Sequence, residues 1–84
     1  MKLYKFEAPW CQPCKQQKPM LDKLVADGLE LVCIDISEPA NEEIAKVWNI
    51  GALPTYHLVD EDGEPAGKKV GPQSEKIMRG WLGL

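Results

Sequence analysis

The chain opens on an alternation: Lys2 to Phe6 sets polar against apolar side chains with a period of two, which predicts a short strand. From Gln12 to Ala26 the apolar residues Met20, Leu21, Leu24 and Val25 recur at helical spacing, and Gly28 closes the segment. Pro19 falls inside that helix, where it removes one backbone hydrogen bond and predicts a kink. Leu29 to Ile36 holds the unbroken apolar run Leu31, Val32, Cys33, Ile34, the pattern of a parallel strand buried on both faces. Strand, helix and strand within 36 residues predict a βαβ unit with a right-handed crossover.

A second helix is expected from Ser37 or Glu38, with Pro39 in its first turn and Glu42 and Glu43 near its positive end. Its inward residues would be Ile44, Val47 and Trp48. Thr55 to Val59 predicts a strand, Asp60 to Pro65 a turn, and Ala66 to Val70 the returning arm of a hairpin. Ser74 can cap a last helix whose Ile77, Met78, Trp81 and Leu82 form one apolar stripe. The order β-α-β-α-β-β-α specifies an α/β fold: a four-stranded mixed sheet flanked by three helices, as one domain over residues 1–84.

Composition narrows the function. With 84 residues, 44% hydrophobic and 27% charged, the chain has the balance of a small globular domain. Its net charge of −3 and lack of a Lys/Arg cluster argue against nucleic acid, whose binding rests on neutralised phosphates. Lys15 and Lys18 are diluted by glutamines. The start MKLYKFEAPW lacks the apolar core of a signal peptide, and no run approaches the roughly 20 residues of a membrane span. Three cysteines are too few, and odd in number, for a secreted disulfide scaffold. A monomeric cytoplasmic protein is expected, without a membrane.

The stretch PWCQPCKQQKP, residues 9–19, carries the candidate chemistry. Cys11 lies where the first strand gives way to the helix, a position whose unpaired N–H groups favour the reactive thiolate. Cys14 is one helical turn on and can reach Cys11 to close a small disulfide ring. Cys11, exposed at the tip, would attack a substrate disulfide, and Cys14, inside the first turn, would resolve the mixed disulfide. Pro13 restricts the backbone between them, and Trp10 adds a flat apolar surface beside the nucleophile. Cys11, Cys14, Cys33 and His57 could nominally supply four metal ligands. Structural zinc sites bring their ligands as close pairs on turns, whereas Cys33 and His57 fall on separate strands, so no metal is expected. Closing so short a loop also removes little chain entropy, which argues against a purely structural staple. Cys33 is read as a buried small hydrophobe, His57 as a strand residue on a partly exposed face, and Trp48 and Trp81 as core fillers.

In "WCQPCK", Pro19 five positions after Cys14, "ALPT" at 52–55 and "VGP" at 70–72, the sequence resembles the thioredoxin family. The resemblance covers nearly the whole chain and lacks only the extra N-terminal strand and helix of full-length members, a compactness that suits a bacterial, archaeal or bacteriophage source. It implies that Pro54 is a cis-proline facing the cysteines and that Leu53 offers its backbone as a docking edge for an extended substrate segment. Gly71 would be the neighbouring wall and Trp10 the apolar shelf, with Gln12 and Pro13 on the same substrate-facing surface. It implies a general protein disulfide reductase with no bound cofactor. NADPH would act only indirectly, through a flavoprotein of the thioredoxin reductase type.

Two positions depart from the family pattern. Gln12 replaces the usual glycine and bears on redox tuning. Lys5 stands where the family carries a buried aspartate six residues before the first cysteine. One reading makes Lys5 a cation that stabilises thiolate, with water or Glu7 as proton relay. The other makes it a strand-edge lysine in solvent. Two alternative functions also stay open: a glutathione-dependent, glutaredoxin-like reductase, which the compact size permits although no double glycine follows the last strand, and a non-catalytic accessory subunit using the same groove.

Overall fold

The computed structural model describes residues 2–84. Strand β1 (Lys2–Glu7) leads into α1 (Gln12–Gln16) and α2 (Lys18–Ala26), followed by β2 (Leu31–Asp35). A 3-10 turn (Pro39–Asn41) runs into α3 (Glu42–Val47), then come β3 (Thr55–Val59), β4 (Pro65–Val70) and α4 (Glu75–Leu82). The sheet order is β2-β1-β3-β4, with β1 and β2 parallel and the other pairs antiparallel. The expected α/β architecture and mixed sheet are present.

The first helix is not merely kinked but divided. Pro19 has no N–H for the carbonyl of Lys15, so the helical ladder is interrupted at Gln17 and resumes with Leu21 N–H donating to Gln17 O at 3.0 Å. Leu3, Tyr56 and Leu58 on one sheet face pack with Leu21 and Leu24 of α2 and Met78 of α4 as the main core. On the opposite face Trp48, at the end of α3, stacks on Tyr4 and meets the edges of Phe6 and His57. Ser74 caps α4 as expected, its hydroxyl accepting from Ile77 N–H at 3.2 Å.

Several expectations are corrected. β2 is an edge strand, so Val32 and Cys33 are exposed rather than buried between neighbours. Val47 is 72% exposed because α3 turns Ile44 and Trp48 to the sheet instead. Ile77 is 50% exposed, at the margin of the α4 stripe. The helix expected from Ser37 begins as a 3-10 turn and becomes α-helical only at Glu42. His57 is buried, held edge-on between Phe6 and Trp48.

Candidate active site

Cys11 is the N-cap of α1, with extended backbone (φ −85, ψ 100), and its Sγ accepts from Cys14 N–H at 3.2 Å. The N–H of Cys11 is itself held by Ala8 O at 3.1 Å. The two Cα atoms lie 5.3 Å apart and the side chains are joined as a disulfide, within the spacing such bonds require. Cys11 is not exposed as expected: Ala8, Ile36 and Leu53 pack around the pair, leaving 7% of Cys11 and 2% of Cys14 accessible. The residual access still favours Cys11.

Lys5 lies in β1, between β2 and β3, and is 3% exposed, which rules out the solvent reading. Its Nζ donates to Cys14 O at 2.8 Å and pairs with Glu7 Oε1 at 3.0 Å. Side chains alternate along β1, so Lys5 and Glu7 share the sheet face beneath the cysteine helix. Both line a crevice of about 340 Å³ bordered also by Cys14, Leu21 and Cys33. Cys33, register partner of Lys5 on β2, is exposed at the strand edge, but its thiol is partly desolvated beside the crevice, which pushes its pKa up first, with the Glu7 carboxylate second. That shift disfavours the nucleophilic thiolate.

On the other side of the cysteines, the Leu53–Pro54 peptide is cis and Leu53 packs against the disulfide. Pro54 O accepts from Gly71 N–H at 2.8 Å, which ties the two loops together. Gly71 holds φ +88, in the left-handed region open to glycine. Trp10 is 68% exposed, and Gln12 and Pro13 are exposed beside it. His57 is not part of this constellation; it packs against Trp48 and Phe6. Among the described residues no group of three or more His, Cys, Asp or Glu side chains is arranged to hold a metal.

A thioredoxin family model matches residues 1–82. The chain belongs to the thioredoxin family. It is 42% identical over 77 residues to thioredoxin from Bacillus subtilis (strain 168), an alignment covering 88% of this chain and 71% of that protein. A solved mutant thioredoxin from Halobacterium salinarum NRC-1 superposes with a TM-score of 0.85 at 30% identity, covering 95% of this chain and 69% of the other. A reduced Schistosoma mansoni thioredoxin pre-protein gives a TM-score of 0.83 at 30% identity, covering 96% and 74%. Membership in the thioredoxin family and the Cys11–Cys14 disulfide together make this a thiol-disulfide oxidoreductase. Thioredoxin-family function involves protein substrates and a reductase that restores the dithiol.

A polar layer behind the cysteines has no counterpart among the residues singled out in the sequence. Gln17, 9% exposed, accepts at Oε1 from Tyr56 O–H at 2.7 Å and from Gln73 N–H at 3.0 Å. Gln17 follows Cys14 by three positions, so it shares the inward face of the helical turn. A glutamine on a buried helix face was the available signal.

Proposed function

We propose that the protein reduces disulfides in other proteins, with Cys11 as the attacking sulfur and Cys14 as the resolving one. The observation that carries this is the Cys11–Cys14 disulfide at the N-cap of α1, flanked by the Leu53–Pro54 and Gly71 loops. The Cys11 thiolate attacks one substrate sulfur, forming a Cys11–substrate bond as the substrate disulfide breaks. The leaving thiolate takes a proton from solvent. Cys14 thiolate then attacks Cys11 Sγ, closing the internal disulfide and releasing the second substrate thiolate. Two electrons pass to the substrate, and a flavoprotein reductase drawing on NADPH returns them to the pair. No bound cofactor takes part.

The Cys14 N–H aimed at Cys11 Sγ supports Cys11 as the nucleophile, because a hydrogen bond to the charged form favours it. Trp10, Gln12 and Pro13 on one side, and Leu53 and Gly71 on the other, form the docking surface for an extended substrate segment, with the fully buried Pro54 supporting that second wall from beneath. Lys5 acts as a positioning and charge-tuning residue for Cys14. The setting is a reducing cytoplasm, where a monomer contributes to electron transport and redox balance.

The test is insulin reduction by the monomeric protein supplied either with NADPH and thioredoxin reductase or with glutathione. We expect turnover with the reductase, a trapped mixed disulfide in Cys14→Ser, and none in Cys11→Ser. Turnover with glutathione alone would move the protein to the glutaredoxin-like reading. Biological activity surviving Cys11→Ser would move it to the accessory-subunit reading.

A further inference from the structure

Behind the cysteine helix, one hydrogen-bonded chain runs from the α1–α2 junction to both docking loops. Gln17 Oε1 accepts from Gln73 N–H at 3.0 Å, and Gln73 Nε2 donates to Val70 O at 3.3 Å and Gly71 O at 3.2 Å. Gly71 N–H closes the chain on Pro54 O at 2.8 Å. At the other end, Gln17 N–H donates to Cys14 O at 3.2 Å. Tyr56, fully buried in β3, anchors the same Gln17 oxygen from below at 2.7 Å.

A buried amide oxygen that receives two donors from separate elements fixes the spacing of those elements more sharply than apolar contact can. The reason Gln17 can serve here is local. Pro19 divides the helix at Gln17, and the residue is turned into the core at the break. The segment 71–73 has no ladder of its own, since β4 ends at Val70 and α4 begins at Glu75. Its position relative to the cysteines is therefore set by Gln17 and by the Gly71–Pro54 bond.

We propose that Gln17 is a positioning residue for substrate docking: it sets the distance between the cysteine helix and the Gly71–Pro54 wall, and so governs affinity for protein disulfides rather than the exchange chemistry. This rests on the docking surface proposed above. Protein substrates that use both walls should feel its loss, whereas a small aromatic disulfide that reaches only the sulfurs should not.

Gln17→Leu alone orphans the Tyr56 hydroxyl in the core, so the double variant Gln17→Leu/Tyr56→Phe removes that buried pair together and leaves only the half-buried Gln73 N–H, which water can reach. Gln73→Ala, at a half-buried loop position, cuts the chain at its second link without touching the core. For both, we expect KM for insulin to rise about 3- to 10-fold at little-changed kcat, and reduction of a small aromatic disulfide to stay within about twofold. Gln17→Glu, which keeps the acceptor oxygens, should restore KM. Trp10→Ala, measured in parallel, should raise KM for insulin on its own. If Trp10→Ala does so while both network variants leave KM unchanged, the inference is overturned and the docking surface stands. If Trp10→Ala has no effect, the docking surface fails and the inference with it. A network variant that slows the small disulfide as much as insulin also overturns it, because the chain would then act on the cysteines themselves.

Discussion

Replacing Lys5 by methionine removes a buried ammonium while keeping the length and apolar stem of the side chain. Two opposing terms act on folding. A hydrogen bond from a charged donor to Cys14 O contributes roughly 1.5–3 kcal/mol. Burying the ammonium costs several kcal/mol, which methionine does not incur. Cys14 O keeps its bond from Gln17 N–H, and Glu7, with 30% of its side chain accessible, can turn to water. The variant is therefore expected to fold.

The catalytic effect has a definite sign. Two unit charges about 5–8 Å apart in an effective dielectric near 20 interact by roughly 2–3 kcal/mol. Glu7, 3.0 Å from the ammonium, opposes that field. A net effect of about 1 kcal/mol in favour of the thiolate would be a factor of roughly five in rate. Lys5→Met should accordingly slow the resolving step about fivefold below the thiol titration range, and the two profiles should converge above it. Glu7→Gln should act in the opposite direction, since it leaves Lys5 unneutralised. The assay is single-turnover release of reduced insulin across about pH 6–9, a range spanning ordinary and activated thiols. Superimposable profiles for the parent and Lys5→Met would mean that the ammonium does not act on Cys14.

His57 is buried, neither ring nitrogen has a hydrogen-bond partner among the described residues, and its pKa is lowered from the ordinary 6.5 by burial first and by Lys68 second. The unfolded chain therefore binds the proton before the folded one does, and stability holds above about pH 7 but falls as pH drops through 6.5 and below. His57→Phe should raise stability by about 1–2 kcal/mol and flatten this acid limb, read by urea denaturation at several pH values; an unchanged limb would assign the acid sensitivity elsewhere. Gly71→Ala meets no steric obstacle, yet must hold φ +88. A loss of about 1 kcal/mol is expected, or roughly 4–8 °C in Tm by calorimetry, and an unchanged Tm would contradict the strained backbone.

The sequence made the cysteine pair, the hairpin, the Ser74 cap and the strand after Pro54 legible, because each is a local pattern with a local cause. What it could not convey was lateral order in the sheet. An unbroken run such as Leu31–Ile34 looks alike in a central and an edge strand, since the neighbours come from other parts of the chain. Val32 and Cys33 are exposed at the β2 edge for that reason. Lys5 and His57 depart from type preferences in the same way. One is buried because β1 is central and Glu7 is at hand, the other because Trp48 closes over it. The Gln17 network is a long-range meeting of the α1–α2 junction, β3 and the loop before α4, which no window of sequence contains.

If the Cys11–Cys14 pair delivers electrons to protein disulfides, its reduction potential must be low. A redox titration of that pair tests it most directly, because the direction of exchange depends on the potential relative to the compartment. A reductase requires a potential at or below a cytosolic glutathione poise of roughly −220 to −260 mV, which is the value expected. A value near about −120 mV, that of a strong disulfide donor, would contradict it.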